Sequence, residues 1–320
     1  MVGHEGSPAP ILSVVVLIGR QRERAVAAVN RLLRQEPAVR LEVIVVDAAP
    51  AAGPLPWLDH PDVRHVPVAD LPSIAAGKVA GARLARGQFL AFIEDHCHAE
   101  PGWAAAVVDG FGQGADVVAY AFGNLNPGNY VSRAFLLLAY GPWTSPVESG
   151  WIAWPSWMNV AYRAELIREQ LEDMADWFHC EPMFHAALKA RGLRFWQAGG
   201  AEVRHLNHLR LGGACRDSAV WQRLFAATRA RLQSWSPTRR LIHAAAAPLL
   251  SPAVIASRLG RRMWARPELR LQFLRGLPLI LTVYHYGALC ESLGYLFGPG
   301  GAGRDSIEVE TGDPRLLERA

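Results

Sequence analysis

The chain has 320 residues, a formal net charge of +4, 51% hydrophobic residues and 19% charged residues. This excludes a largely disordered chain and leaves one large or two modest domains with a real core. The four cysteines (Cys97, Cys180, Cys215, Cys290) are scattered with no CxxC pair, which argues against a zinc knuckle or disulfide framework and for a reducing compartment.

Residues 1–10 read as a flexible leader, with no basic segment and apolar run of the kind a secretory signal needs. LSVVVLI (12–18) is a continuous apolar, β-branched run, the pattern of a strand buried on both faces. Residues 22–35 have helical spacing, with Val26, Val29, Leu32 and Leu33 on one face. LEVIVV (41–46) is a second buried strand ending at Asp47, and 63–68 a short third one. Residues 73–86 predict a helix stopped by Gly87. FLAFI (89–93) is the next strand, Pro101 suits the first turn of a helix reaching about Gly110, and ADVVAYAF (115–122) is a further strand. Strands alternating with helices predict an α/β fold with a mostly parallel sheet and helices on both faces. The loops after its strands then share one edge, where ligands bind in such sheets.

Residues 124–158 are rich in Gly, Pro, Asn and Trp and read as a loop excursion rejoining the core near Met158–Tyr162. Helices follow at 163–171 and about 180–191, then two short strands, LRFWQ (193–197) and AEVRH (201–205). From 206 to 300 the text turns helical and basic. Between Leu206 and Arg275 stand 13 arginines against Asp217 and Glu268 alone, a local balance of +11. This suits an anionic membrane surface, or simply a solvated basic face; no nucleic-acid recognition motif accompanies it. The run LPLILTVYHYGALCESLGYLF (277–297) is about long enough to span a bilayer. His285 and Glu291 make insertion costly, so a spanning helix, an interfacial helix and a packed helix all stay open. Residues 301–320 read as a disordered tail.

The chemistry concentrates in FLAFIEDHCHAEPGW (89–103), where a buried strand delivers Glu94, Asp95 and His96 to the sheet rim. Carboxylates suit Mg²⁺ or Mn²⁺, and a single imidazole is compatible with Mn²⁺. A cation there suits a diphosphate whose charge must be neutralised as a leaving group departs. Solvated caps are the bland alternative, and His98 and Glu100 read as loop or capping residues.

The run SVVVLIGRQRERAVAAVNRLLRQ, LEVIVVDAAP, GKVAGARLARGQFLAFIEDHCHAEPGW resembles glycosyltransferase family 2. The likeness continues through NVAYRAEL (159–166), CEPMFHAALKARGLRF (180–195), AEVRH (201–205) and ESLGYLFG (291–298). The resemblance implies a GT-A fold over 11–205, a nucleoside-diphosphate sugar donor, a divalent cation and inverting transfer to an acceptor hydroxyl; the place of the basic, apolar C-terminal region suits a polysaccharide or lipid-linked glycan as that acceptor. It implies that Asp47 meets the nucleotide, that Lys78 lies near the diphosphate with Glu94 and Asp95, and that Glu94, Asp95, His96 and His205 hold the metal. Glu181 falls at the general base, with Asp176 as runner-up. Trp151, Trp154 and Trp157 belong to the acceptor side, since aromatic faces stack on sugars. The expected location is the cytoplasmic face of the cell membrane, peripheral or through a C-terminal segment. Leu17, Arg20, Ala48 and His96 depart from the family pattern. They keep open a silent nucleotide- or sugar-binding protein at a membrane, and a metal-dependent phosphotransferase or hydrolase is a further alternative.

Overall fold

The structure is a computed structural model that describes residues 9–312. Most of the expected leader and residues 313–320 of the expected tail lie outside the described residues. In chain order the first half runs β1 (Leu12–Ile18), α1 (Arg22–Leu33), β2 (Leu41–Asp47), β3 (Val63–Pro67), α2 (Ile74–Leu84), β4 (Phe89–Glu94), β5 (Cys97–Ala99), α3 (Trp103–Gly112) and β6 (Val117–Asn124). Then come α4 (Tyr130–Tyr140), β7 (Gly150–Ile152), β8 (Val160–Arg163), α5 (Ala164–Arg168), α6 (Met174–His179), α7 (Glu181–Ala190) and β9 (Phe195–His205). Three long helices follow, α8 (Leu211–Leu232), α9 (Pro237–Trp264) and α10 (Pro267–Phe297), then α11 (Ala302–Ile307) and one π-helical turn, Glu308–Gly312.

The strands form one nine-stranded sheet in the order β3-β2-β1-β4-β8-β6-β9-β5, with β7 paired to β9. β3, β2, β1 and β4 are mutually parallel, whereas β8 runs antiparallel between β4 and β6. The fold is therefore α/β with a mixed, mostly parallel sheet, as expected. Strand alternation divides the core. Val14, Val16 and Ile18 face a cluster built with α1, α3 and α4, while Val15 and Leu17 face one built with α2, α6 and α7.

Three readings need correction. Residues 124–158 are not a plain loop: Asn129 accepts hydrogen bonds from the N–H groups of Val131 and Ser132 and starts α4, an N-cap that starts the helix. The two short strands at 193–205 are one strand, β9. The expected disordered tail is ordered over Ala302–Gly312. Residues 277–297 belong to α10, which packs one face against α8 and leaves Tyr286, Leu289, Leu293, Leu296 and Phe297 exposed on the other. Gly287 and Gly294 let α10 lie against α8, for a Cβ at Gly294 would stand 2.5 Å from the Arg223 carbonyl oxygen. Glu291 is satisfied by Ser251 of α9 at 2.7 Å and by Tyr295 at 3.0 Å. Among the described residues, the helix that is by length and composition apolar enough to cross a membrane is α9, and its apolar window is only 11% buried.

His185 on α7 lies in the core beside Tyr162, its Nε2 2.8 Å from the hydroxyl. Burial pushes the Tyr162 phenol well up, so it keeps its proton and donates it. Burial, aided by Lys78, pushes His185 down from 6.5 to about 3. Between these values the unfolded chain binds a proton that the native state refuses. Stability is thus full above about pH 6.5 and declines as the pH falls towards 3. His185→Gln should flatten that decline in urea unfolding followed across this window; an acid limb as steep as in the wild type would refute the assignment.

Candidate active site

The register of the central strands sets the site. Asp47 pairs with Ile18 and Glu94 with Leu17, so the two acids flank the end of β1 on one sheet edge. The chain then turns from β4 into β5, whose Cys97 pairs with His205 on β9. That pairing brings together His96 and His205, with 3.1 Å between their Nε2 atoms.

Glu94 is the hub. Its backbone N–H donates to Asn159 Oδ1, and its carboxylate accepts from Asn159 Nδ2 and, at 3.2 Å, from the Tyr140 hydroxyl. His205 lies 3.4 Å and His96 3.7 Å from the same oxygen. Burial opposes this charge, but His96, His205 and Asn159 outweigh it and hold the carboxyl well below the usual range. Burial in turn pushes the His96 imidazole down, against the pull of Glu94 and Asp95, which favours the neutral, ligating form. Asp95 is tied to Arg24 at 2.7 Å, while its Oδ2 is buried with no hydrogen-bond partner.

The residues fit a divalent cation. Ligand atoms of Glu94, His96 and Glu310 lie within 4.8 Å of one another, as do those of Glu94, Cys97 and His205. Burial and the charges of Glu94 and Asp217 push the Glu310 carboxyl well up, so it carries a proton. The ionised Glu94, the His96 and His205 imidazoles and the orphaned Asp95 oxygen form a donor set compatible with Mn²⁺ or Mg²⁺. Burial and Glu94 push the Cys97 thiol well up, so it stands as a donor to Glu94 at 3.6 Å.

Lys78 and Glu181 form a second buried group. Lys78 Nζ is 2.8 Å from Glu181 Oε1, and the Met158 N–H donates to Oε2 at 2.7 Å. Met158 holds a left-handed φ of 61°, and its carbonyl oxygen accepts from Lys78 while its N–H meets Glu181. Such strain marks a locally over-determined site. Glu181 also sits in the first turn of α7, where the helix dipole favours its charge.

The other expected site residues are dispersed. Asp47 is engaged within the protein by a bidentate Arg22 at 2.9 and 3.1 Å and by His65 at 3.0 Å. Burial opposes its charge, yet these partners hold its carboxyl below the usual range. Asp176 pairs with Arg231 and does not line the central cavity. Trp157 lines it; Trp151 packs edge-on against Trp196, and Trp154 lies under Lys189. The sequence reading passed over Tyr140, Asn159, Arg22 and Arg24. Asn159 heads the NVAYRAEL run and Arg22 and Arg24 open α1, but no spacing rule pairs them with acids 25 to 71 positions away.

The chain matches the family model "Glycosyl transferase family 2" over residues 13–189. That is more than half of its length, and the protein belongs to this family, whose GT-A-like α/β architecture the sheet displays. Membership supports, in general terms, a glycosyltransferase that takes a nucleotide-sugar donor. The comparison with curated proteins returns no match.

Breaking a buried ion pair strands a charge and costs about 3–5 kcal/mol. Lys78→Met should therefore lower urea stability by about that amount, and Lys78→Met with Glu181→Leu should recover much of it. Equal losses in the single and double variants would show that the pair is not coupled.

Proposed function

We propose that the protein is a metal-dependent inverting glycosyltransferase, passing a sugar from a nucleoside-diphosphate sugar to the hydroxyl of a lipid-linked glycan at the cytoplasmic face of a membrane. The observation that carries this reading is one cavity, of about 570 Å³, that joins Glu94, His96, His205 and Glu181 to an apolar wall formed by Leu250, Val254 and Ile255 of α9. Leu249 and Leu250 are 76% and 60% exposed, an apolar face of the kind that marks an interaction surface. Arg229 and Arg258 also line the cavity and suit a phosphate on the acceptor. The apolar wall favours a lipid-linked acceptor over a free polysaccharide.

Glu94, Asp95, His96 and His205 would hold the cation, which when bound would supply neutralising charge to the donor's diphosphate. Asp47, fixed by Arg22 and His65, stands on the nucleotide side of the rim. Lys78 leaves Glu181 for the diphosphate as the donor binds, and that exchange frees Glu181 Oε1 to accept the proton of the attacking hydroxyl. The oxygen forms its bond to the anomeric carbon as the carbon–phosphate-oxygen bond breaks, and the nucleoside diphosphate departs with the electron pair. Trp157 packs against the acceptor.

General-base assistance is typically worth about 10²–10⁴-fold. Glu181→Gln should lower kcat by a factor in that range, measured as nucleoside diphosphate release, with donor affinity retained; unchanged turnover would reject Glu181 as the base. Trp157→Ala should raise the acceptor KM more than the donor KM. Donor binding without any release of nucleoside diphosphate would favour a silent binding protein instead.

A further inference from the structure

The last described residues return to the sheet edge that the donor needs. Helix α11 packs against the start of α2, where Ser306 Oγ accepts from the Ile74 N–H at 3.1 Å. The π-turn then passes over the end of β1. Arg24 Nη2 donates to the Glu310 carbonyl oxygen at 2.5 Å, and Trp221 Nε1 to its carboxyl at 3.2 Å. Thr311 lies so close to the β1–α1 turn that a Cβ at Gly19 would stand 2.6 Å from the Thr311 Cβ. Glu310 and Thr311 line a small space together with Leu17, Lys78, Glu94 and Asp95, and only about 20 Å³ of it is left, room for about one water. A diphosphate group does not fit in that space while Glu310 and Thr311 line it.

We infer that residues Ala302–Gly312 are a strap that competes with the donor, Glu310 standing where the donor's diphosphate goes, and that Arg24 is a diphosphate-binding residue which the closed strap occupies. The inference rests on the donor reading above. The strap offers that edge an acidic side chain and a carbonyl oxygen, chemistry close to that of a phosphate, and meets it with a guanidinium that phosphate also seeks. On donor binding, Arg24 exchanges the Glu310 carbonyl for a donor phosphate. A site open one time in ten binds with about tenfold weaker apparent affinity.

Two full-length variants test this. A Cβ at Gly303 would lie 3.8 Å from that of Ser73, about the mean separation across a disulfide. Ser73→Cys with Gly303→Cys should therefore lock the strap when oxidised. The probes are UDP, GDP and dTDP, each titrated calorimetrically with Mn²⁺ or Mg²⁺. The oxidised double variant should bind the accepted nucleotide at least tenfold more weakly than the same protein after reduction. Glu310→Ala should bind it about tenfold more tightly than the wild type. Equal affinity in the two redox states, with mass spectrometry confirming the bond, overturns the strap alone. Weaker binding by Glu310→Ala also overturns it and makes Glu310 a ligand of the donor or cation. If no nucleotide binds wild type, Glu310→Ala or the reduced variant, the strap and the donor reading fall together.

Discussion

Glu94 ends the central strand with its carboxylate out of water, and a buried charge must be compensated by close partners. Those partners come from four separate places: Tyr140 from the end of α4, Asn159 from just before β8, His96 from the β4–β5 turn and His205 from the end of β9. Each is held by a sheet register or a helix end, so the position of the carboxylate depends on the whole mixed sheet. The antiparallel insertion of β8 beside β4 has its chemical consequence here: it carries Asn159 to the backbone and carboxylate of Glu94 together.

A second layer of organisation ties this edge to the C-terminal helices. The central cavity has one end on acids and imidazoles and the other on α9, and α10 fastens α9 to the catalytic sheet through Ser251, Glu291 and the close crossing with α8. The apolar surface of α9 is thereby presented next to the proposed active site. This greasy face beside a polar pocket is what the proposed lipid-linked acceptor rests on, and Arg229 and Arg258, two of the arginines that make the region basic, line the same pocket.

The sequence made the parallel half legible. LSVVVLI, LEVIVV and FLAFI are long apolar β-branched runs, and they are β1, β2 and β4. Asp47 and the Glu94–His96 cluster were expected on one edge because strand ends in such sheets share one, and the register shows it. Other features were hidden for physical reasons. Helix α4 lies in a stretch whose glycines, prolines and tryptophans mask its Asn129 cap and its YVSRAFLLLAY periodicity. The apolar run of α10 draws attention first, yet by length and composition it is α9 that could cross a membrane, and only the fold shows that α10 lies against α8 while α9 is left exposed. Nor does any local pattern reveal that Arg24 meets Glu310, 286 positions away, or that Lys78 and Glu181 neutralise each other across the core. Such pairs exist only once the chain has folded.

The central claim is that this edge binds a nucleotide sugar through a cation held at Glu94. It is tested most directly by thermal unfolding of the purified protein with nucleotide sugars of UDP, GDP, dTDP and CMP, each with Mn²⁺, Mg²⁺ or neither. A ligand confined to the native state stabilises it by about 2.7 kcal/mol at a hundredfold excess over Kd. A cation-dependent rise in Tm is expected for one nucleotide class, and it should disappear in Glu94→Ala. No rise with any donor, or a rise that survives Glu94→Ala, would contradict it.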